Sequence, residues 1–469
     1  MILVFVVGYL CIAMEHKLQI NKAAAALLTG GVLWVLYVFV MPLSAPVVSP
    51  DSFKIFLRDN PSIQSLPLID QCRRFITECQ IIEYLGEIAS TLFFLIGAMT
   101  IVELIDVHDG FSVITERIKS RNKKKLLWII TIITFFMSAV LDNMTTAIVM
   151  VTLVRKLIPN YKERWIFASM IIISANSGGA WSPIGDVTTI MLWIKGTVTT
   201  ASLITSLFFP SLISTIVPLL FAQNMLKGDV KGNVKSLQEE THEEFIQRKQ
   251  KIRLLVLGVV GLLSVPLIKY LTGLPPFVCI LSVLGIIWVY TEIMYKKIRV
   301  DERLKNRVSK VLQRIDTSTI LFFLGILLAV MALQGSGILS IAGEYLDKNV
   351  HNVYAINIII GLFSSVIDNV PLVAVAMGMY PLVDPAALSS TMANPAFMQF
   401  FLQDGIFWQF LAYCAGVGGS LLIIGSAAGV VVMGIEKITF NWYLKRFSLL
   451  ALLGYFSGAA VYILSQLLF

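Results

Sequence analysis

The chain has 469 residues, of which 57% are hydrophobic and only 14% are charged, and its mean hydropathy is +0.80. This composition excludes a water-soluble enzyme and is typical of an integral membrane protein. The net charge of +8 does not indicate a nucleic-acid partner, because aromatic residues hardly interleave with the basic ones. The five cysteines and four histidines are scattered, so neither a disulfide framework nor a zinc site is expected.

Apolar runs that approach or exceed membrane-spanning length follow one another along the chain. The N-terminal sequence MILVFVV predicts a first membrane segment rather than a signal peptide. Further runs cover residues 23–41, 126–141, 254–268, 278–290 and 447–469. They predict a helical bundle, because a barrel requires alternating segments of about ten residues. The polar residues 50–79 receive no assignment.

Basic residues cluster in four loops, at residues 117–125, 155–164, 227–253 and 296–314. Such clusters are typical of cytoplasmic loops under the positive-inside rule. The longest polar stretch, residues 227–250, predicts a solvated linker. The predicted organisation is an N-terminal half with a first repeat (residues 1–225), a linker loop (226–250) and a C-terminal half with a second repeat (251–469).

Three landmarks recur in the same order and with similar spacing in the two halves. The sequence LFFLIG that starts at Leu92 matches LFFLG at Leu321. The pair Asp142-Asn143 recurs as Asp368-Asn369, and the glycines at 178, 179 and 185 recur at 418, 419 and 425. An ordered set of this kind indicates an internal repeat, which is typical of secondary transporters.

Both repeats contain residues that interrupt a helix inside an apolar run. Pro371 follows Asp368-Asn369, and residues 175–186 read ANSGGAWSPIGD, which cannot continue as an ordinary helix. Freed backbone at membrane depth is tolerated where it is buried or lines a wet cavity, so these breaks predict broken helices around an ion site. The segments 87–98 and 317–328 fit either re-entrant hairpins or full crossings.

Oxygen-bearing side chains concentrate at the breaks, and hard cations such as sodium prefer oxygen ligands. The predicted ion-binding residues are Asp142, Asn143, Thr145, Thr146, Asn176, Ser177, Ser182, Asp186, Thr188, Thr189, Asp368, Asn369, Ser420 and Ser426. The predicted sodium ligands among them are Asp142, Asn143, Asn176, Asp186 and Asn369. An intramembrane carboxylate is costly, which favours function, although a cap on a half-helix is the structural alternative.

A proton pathway is predicted along Asp142, Asp186 and Glu103. Glu103 has no acidic counterpart in the second half, and the alternative for it is a charge at the membrane interface. The oxygen-rich first half makes Asp142 the first candidate for exchange, with Asp368 completing the cage or holding the second broken helix. This asymmetry favours a small cation over a large anion.

The motifs resemble those of the NhaD-type sodium/proton antiporters of the ion transporter superfamily. The resemblance rests on the two Asp-Asn pairs, the sequence SANSGG from Ser174, SPIGDVTT from Ser182, and the glycine motifs after Val417. It covers the chain from about residue 80 to the end. It implies an all-α polytopic membrane protein with two inverted repeats, each with a re-entrant hairpin and a broken transmembrane helix. It also implies a homodimer in which a transport domain moves against a scaffold.

The predicted function is exchange of sodium or lithium for protons by alternating access, in the multi-pass setting of a bacterial inner membrane. Small cations and the lipid bilayer are the expected partners, and no cofactor is expected. Asp142→Asn is expected to abolish sodium-dependent proton movement. A dicarboxylate or arsenite carrier is the alternative on the same architecture. A channel and an intramembrane aspartyl protease are weaker alternatives, the latter because Ile184-Gly185-Asp186 lacks the Gly-x-Gly-Asp pattern.

Overall fold

The computed structural model of the chain describes residues 1–115, 120–230, 248–297, 308–350, 352–366, 368–385 and 395–468. The first half contains α1 (Ile2–Ala13), α2 (Glu15–Leu18), α3 (Lys22–Val40), α4 (Ala45–Val48), α5 (Pro50–Asp59), α6 (Leu68–Phe75), α7 (Ile81–Val107), α8 (Ser112–Thr115), α9 (Lys123–Ser138), α10 (Asn143–Leu157), α11 (Tyr161–Ala180), α12 (Val187–Ile194) and α13 (Thr200–Ala222).

The second half is also helical. It contains α14 (Arg248–Thr272), α15 (Pro276–Lys297), α16 (Val308–Leu312), α17 (Thr317–Gly335), α18 (Ile338–Val350), α19 (Val353–Phe363), α20 (Asn369–Met379), α21 (Pro395–Met398), α22 (Ile406–Gly418), α23 (Ala427–Glu436), α24 (Phe440–Arg446) and α25 (Ser448–Leu468). The predicted linker, residues 226–250, lies mostly outside the described residues.

Within the described ranges, seven helical segments are long and apolar enough to cross a membrane. They are α3, α6 to α7, α13, α14, α15, α17 and α25. The predicted runs at 23–41, 254–268, 278–290 and 447–469 coincide with α3, α14, α15 and α25. The run at 126–141 instead forms the shorter helix α9 and the turn after it, because the chain reverses at Asp142. An all-α polytopic membrane protein is therefore confirmed.

The helices α9 and α10 form a helical hairpin. At the start of α9, Lys123 pairs with Glu163 of α11 at 2.8 Å, and at its end Ser138 donates to the Ala175 carbonyl at 2.6 Å. These contacts make α9 parallel to α11. The next helix begins at Asn143 beside Asn176 and returns to the start of α11, so the tip of the first hairpin is residues 139–142.

The helices α19 and α20 form a second hairpin of the same design. Asn357 and Ser364 donate to the carbonyls of Phe407 and Ala415 in α22, at 3.3 and 2.8 Å. The Tyr380 ring, just after α20, packs on the Phe407 ring with centroids 4.6 Å apart. Because α19 is parallel to α22 and α20 returns along it, the tip lies between Phe363 and Asn369.

The segments 87–98 and 317–328 are parts of full crossings, not hairpins. Each lies inside a continuous helix, α7 or α17. The glycines in these segments admit neighbouring helices instead of breaking their own: Gly97 contacts Ile280, and Gly325 lies against the backbone of Ala26. The hairpins form at the Asp-Asn pairs because those side chains and the following Pro371 interrupt the helix.

Each hairpin packs on a broken helix, and the contacts of the two units correspond. In the first, α11 stops at Ala180 and α12 resumes at Val187; in the second, α22 stops at Gly418 and α23 resumes at Ala427. Gly178 lies directly on the carbonyl of Phe135, and Gly418 lies directly on that of Gly361. These two contacts join equivalent positions when the halves are aligned on the sequence landmarks.

The two repeats are inverted. Arg164 at the start of α11 pairs with Glu436 at the end of α23 at 2.8 Å. At the other end, the backbone N–H of Thr199, after α12, donates to Asp404, before α22, at 2.6 Å. The broken helices therefore run antiparallel, so that one hairpin enters from each side and their tips meet at mid-depth.

The remaining long helices surround this pair of units. Parallel helices α3 and α17 are joined by hydrogen bonds from Trp34 to the Leu328 carbonyl (3.0 Å) and from Tyr37 to the Gly335 carbonyl (2.7 Å). The unassigned residues 50–79 fold into α5, α6 and the turns between them, and Phe53 packs edge-on against Phe75.

The basic residues of the described loops lie at one side of the bundle, which we name the basic face. Lys123, Arg155 and Arg164 lie there, at the ends of α9, α10 and α11. The end of α7 also lies there, with Asp109 paired to Lys251 at 2.8 Å. The opposite face carries Lys195 and the start of α7, as the Lys195–Glu87 pair at 3.2 Å indicates. This asymmetry agrees with the positive-inside rule.

Candidate ion site

The carboxylate of Asp186 lies where the break of α11 and α12 meets both hairpins. It caps α12: Oδ1 accepts hydrogen bonds from the backbone N–H of Thr188 at 2.9 Å and from its hydroxyl at 3.0 Å. The Ser182-Pro183-Ile184-Gly185 turn before it prevents a continuous helix. Asp186 is only 1% exposed, so its charge lies in the protein interior.

Amide groups from both hairpins reach the other oxygen of Asp186. The side chain of Asn143, at the tip of the first hairpin, donates to Oδ2 at 2.7 Å. Asn369, its counterpart in the second hairpin, donates to the same oxygen at 3.3 Å. One carboxyl group thereby joins the two repeats.

The side chain of Asn176 connects the two helix breaks. Its Oδ1 accepts from Asn143 at 3.1 Å, and its Nδ2 donates to the hydroxyls of Ser420 and Ser426 at 2.9 and 2.8 Å. We name this buried network the polar centre. It consists of Asn143, Asn176, Asp186, Thr188, Asn369, Ser420 and Ser426, all of which the sequence predicted as ion-binding residues.

Asp142 and Asp368, the acidic members of the two repeated pairs, lie beside the polar centre with different partners. Both carboxylate oxygens of Asp142 are engaged by Thr145, through the backbone N–H at 2.8 Å and the hydroxyl at 2.7 Å. Asp368 makes no capping hydrogen bond to its own helix and instead pairs with Lys22 of α3 at 3.7 Å. The two positions are thus equivalent in the repeat and unequal in their contacts.

Three other predicted ion-binding residues form hydrogen bonds with backbone carbonyls or with a neighbouring helix. Ser182 donates to the Ala139 carbonyl at the tip of the first hairpin, and Thr189 donates to the Asp186 carbonyl at 2.9 Å. Ser177 accepts from Ser214 of α13 at 2.9 Å.

Two further predicted residues have no hydrogen bond to the polar centre. The hydroxyl of Thr146 is buried and has no partner among the described residues. Glu103 lies near the end of α7 at the basic face, where Asp106 and Arg314 are its charged neighbours. Among the described residues, Glu103 forms no hydrogen bond with another predicted site residue.

Sequence reasoning missed Lys22 and Ser138. Lys22 begins α3, in the other half of the chain from its partner Asp368, and no local pattern relates the two. Ser138 ends α9 and binds α11 as its repeat counterpart Ser364 binds α22. Extending the alignment of the two Asp-Asn pairs upstream would have revealed this pair of serines.

The chemistry of the polar centre suits a small cation. One carboxylate, three amides and three hydroxyls converge, and among the described residues no Lys, Arg or His forms an ion pair with Asp186. A buried carboxylate without a counter-ion is costly unless it is neutralised by a proton or a bound cation. A large anion would instead meet the negative charge of Asp186.

Known proteins resemble the chain over nearly its whole length. A family model described as citrate transporter matches residues 9–402. Sodium/proton antiporter 2 of Arabidopsis thaliana is 41% identical over 464 residues, covering 99% of this chain and 98% of the relative. Sodium/proton antiporter 1 of the same plant is 42% identical, with 99% and 72% covered. The Na(+)/H(+) antiporter NhaD of Alkalimonas amylolytica is 28% identical, with 98% and 89% covered.

These matches agree with the resemblance found in the motifs, and they extend it through the first eighty residues, where the motifs gave no signal. The matched range of the family model includes both hairpins and the first broken helix. The chain therefore belongs to the family described as citrate transporter and to the NhaD-type sodium/proton antiporters.

Proposed function

We propose that the chain exchanges sodium or lithium for protons by alternating access, with Asp186 as the carboxylate that both ions share. The observation that carries the proposal is the burial of Asp186 between amides of the two inverted hairpins. The relatives named sodium/proton antiporters support it. The function is transport, not enzymatic catalysis, and it requires no resident cofactor.

In this mechanism the proton and the sodium ion compete for one site. Without sodium, a proton neutralises Asp186. When sodium binds, the carboxylate becomes ionised and the proton leaves. The amides of Asn143 and Asn369 each carry a donor and an acceptor on the same carbon, so a half-turn of each group replaces a donor by an oxygen ligand. Binding of either ion neutralises the Asp186 carboxylate. The loaded site then carries little net charge, which lowers the free energy needed to move it through the membrane.

The remaining residues of the polar centre hold this arrangement in place. Asn176 presents one oxygen and fixes Ser420 and Ser426, while Thr188 orients the Asp186 carboxylate through two hydrogen bonds. Asp142 lies next to Asn143 and provides a second carboxylate within the first hairpin. We place Asp142, Thr145 and Thr146 at the side of the site, and Asp368 at its boundary with α3.

Sodium-dependent proton movement in everted membrane vesicles tests the proposal. Addition of sodium or lithium to wild-type vesicles that hold a pH gradient should dissipate it, and Asp186→Asn should abolish the response. Because the two ions compete, the apparent sodium affinity of the wild type should fall as the pH is lowered. Normal exchange by Asp186→Asn would contradict the assignment. A response to citrate, succinate or arsenite, with none to sodium, would favour an anion carrier.

Exchange by Asp142→Asn in the same vesicles distinguishes the role of Asp142 from that of Asp186. Asparagine caps a helix about as well as aspartate, so the variant preserves the first hairpin while it removes the charge. Loss of exchange would show that Asp142 takes part in ion binding, as the sequence predicts. Full activity would assign the exchange to Asp186 alone and the role of a cap to Asp142.

We further propose a homodimer in a bacterial inner membrane. Relatives occur in bacteria and in a plant. Localisation of a tagged chain in its own host would therefore test which membrane contains the protein. Native mass spectrometry of the purified protein would give the oligomeric state. The multi-pass character itself follows from the seven candidate spans of the described residues.

A further inference from the structure

A cavity of about 360 Å³ lies between the central units and the helices around them. Its walls come from the start of α7, the end of α17, α12 and α20. Two of these helices, α12 and α20, belong to the broken-helix and hairpin units, while α7 and α17 belong to the surroundings. The cavity therefore lies at the boundary between these units and the helices around them, and alternating-access transporters move one repeat or bundle against another along boundaries of this kind.

The cavity opens to the face opposite the basic face. Glu87 and Lys195 lie at its rim, 45% and 31% exposed, and pair across it at 3.2 Å. Ser90, Thr91 and Gln334 contribute hydroxyl and amide groups to the wall, and the other uncharged lining residues are apolar. These hydroxyl and amide groups are the ones that water or a small hydrated ion in the cavity can contact.

The inner end of the cavity approaches Asp186. Met191 of α12 lines the cavity and lies five residues after Asp186, which corresponds to about 7.5 Å along a helix. The opposite wall, α20, begins at Asn369, whose amide donates to Asp186. Both helices that carry the inner wall thus begin at the polar centre.

On the other side of the polar centre, toward the basic face, an ion pair joins the second hairpin to α3 across the same boundary. Lys22 of α3 pairs with Asp368 of the second hairpin at 3.7 Å and lies over the Phe322 ring of α17 at 4.6 Å. Phe322 precedes Gln334, a cavity residue, by about 18 Å along α17. The pair is more buried than the Glu87–Lys195 pair, at 24% and 19% exposure.

We propose that this cavity is the vestibule through which a hydrated monovalent cation reaches Asp186 from the face opposite the basic loops, and that the Lys22–Asp368 pair closes the route from the basic face. The inference rests on the proposed function. The structure then represents the state open to that opposite face. Movement of the second hairpin away from α3 would separate Lys22 from Asp368 and open the other route.

Labelling of single introduced cysteines tests the vestibule in the full-length protein. Thr91→Cys places a thiol in the cavity, and Thr100→Cys places one on the same helix at a fully buried threonine that does not line the cavity. A charged, membrane-impermeant thiol reagent is added to one face at a time, and mass spectrometry distinguishes the new site from the native cysteines. We expect Thr91→Cys to react from the face opposite the basic loops at least tenfold faster than Thr100→Cys. Equal rates, or equal reaction of Thr91→Cys from both faces, would overturn the vestibule.

The closing pair is tested in the Thr91→Cys background. Lys22→Met and Asp368→Asn should each lower the labelling rate severalfold, because the protein then populates the state open to the basic face. The double variant should lower it no further than either single change. Lys54→Met, which removes a 77% exposed lysine, is the matched control and should change nothing. Unchanged labelling in Lys22→Met would overturn the closing role.

The labelling needs no transport, so the two proposals fail separately. Absence of sodium-dependent proton movement in the wild type would contradict the proposed function, whatever the labelling pattern. Normal exchange combined with an unreactive Thr91→Cys would contradict the vestibule alone.

Discussion

At the scale of the residue, Asp186 and Ser426 occupy equivalent positions with different chemistry. Each caps the second part of a broken helix, Asp186 through Thr188 and Ser426 through Gly429. Replacement of a carboxylate by a hydroxyl leaves the capping function intact and removes the charge. The polar centre therefore contains one ionisable group for two repeats. This explains why the asparagines of both hairpins point toward the first broken helix, where Asp186 lies.

The amides of the two hairpins should contribute unequally to sodium affinity. Asn143 contacts Asp186 at 2.7 Å and also Asn176, whereas Asn369 contacts Asp186 at 3.3 Å. We expect Asn143→Ala to raise the sodium concentration for half-maximal exchange about tenfold, because the variant removes an amide oxygen that would coordinate the bound ion. The increase should be smaller for Asn369→Ala. Exchange is measured in vesicles at fixed pH.

Ser177→Ala is the control for this pair of variants. Ser177 is a predicted ion-binding residue that the structure places against Ser214 of α13. The sodium dependence of exchange should stay that of the wild type. A tenfold change in Ser177→Ala, or none in Asn143→Ala, would contradict the boundary that we draw around the polar centre.

At the scale of the element, the hairpins depend on glycines that allow backbone contact. Gly178 and Gly418 lie directly on the carbonyls of Phe135 and Gly361, so a Cβ atom at either position would displace a hairpin arm. Small residues at helix contacts are the usual means by which membrane helices approach closely. The equivalence of these contacts gives the two hairpins the same docking geometry.

Gly178→Ala and Gly418→Ala should each destabilise the fold and impair exchange. The expected cost is about 1–3 kcal/mol, the range for overpacking a tight contact. Gly434→Ala in α23 is the matched control, because a Cβ there meets open space and alanine favours a helix. Thermal unfolding in detergent measures all three. The close packing would be contradicted if Gly178→Ala and Gly418→Ala unfolded at the same temperature as Gly434→Ala.

At the scale of the whole molecule, the inversion of the repeats fixes which helix ends share a face. The Arg164–Glu436 pair places the end of α23 at the basic face, and the short α24 leads from there into α25. Tyr462, near the end of α25, donates to the side chain of Gln409 at 2.9 Å, close to the start of α22 at the opposite face. The end of α25 therefore lies opposite the basic loops.

A reporter fused after α25 should report the non-cytoplasmic side. In a bacterial host, alkaline phosphatase attached after residue 468 should be active, and a fluorescent protein at the same place should stay dark. The reverse pattern is expected for fusions in the basic loop near Asn160. A fluorescent fusion after α25 would contradict either the inverted arrangement or the assignment of the basic face to the cytoplasm.

The sequence by itself determined the class of protein, the repeat and the polar residues at the breaks. These features are local: helix-breaking residues and oxygen-bearing side chains inside apolar runs are visible in one dimension, and the recurring Asp-Asn pair relates Asn143 to Asn369. The structure supplies what depends on side-chain direction and on contacts between distant segments. Hydrogen bonds between the two halves of the chain select Asp186 as the carboxylate that both hairpins reach, and a bond to α13 directs Ser177 elsewhere.

Only the tertiary structure decided where the hairpins form and how the halves are oriented. The apolar segments around Leu92 and Leu321 are equally compatible with a full crossing and with a re-entrant hairpin, because hydropathy does not show where the chain reverses its direction. Contacts at both ends of the broken helices, Arg164–Glu436 and Thr199–Asp404, show the antiparallel arrangement. The Lys22–Asp368 pair is of the same kind: its energy depends on a distance in space that no spacing along the chain encodes.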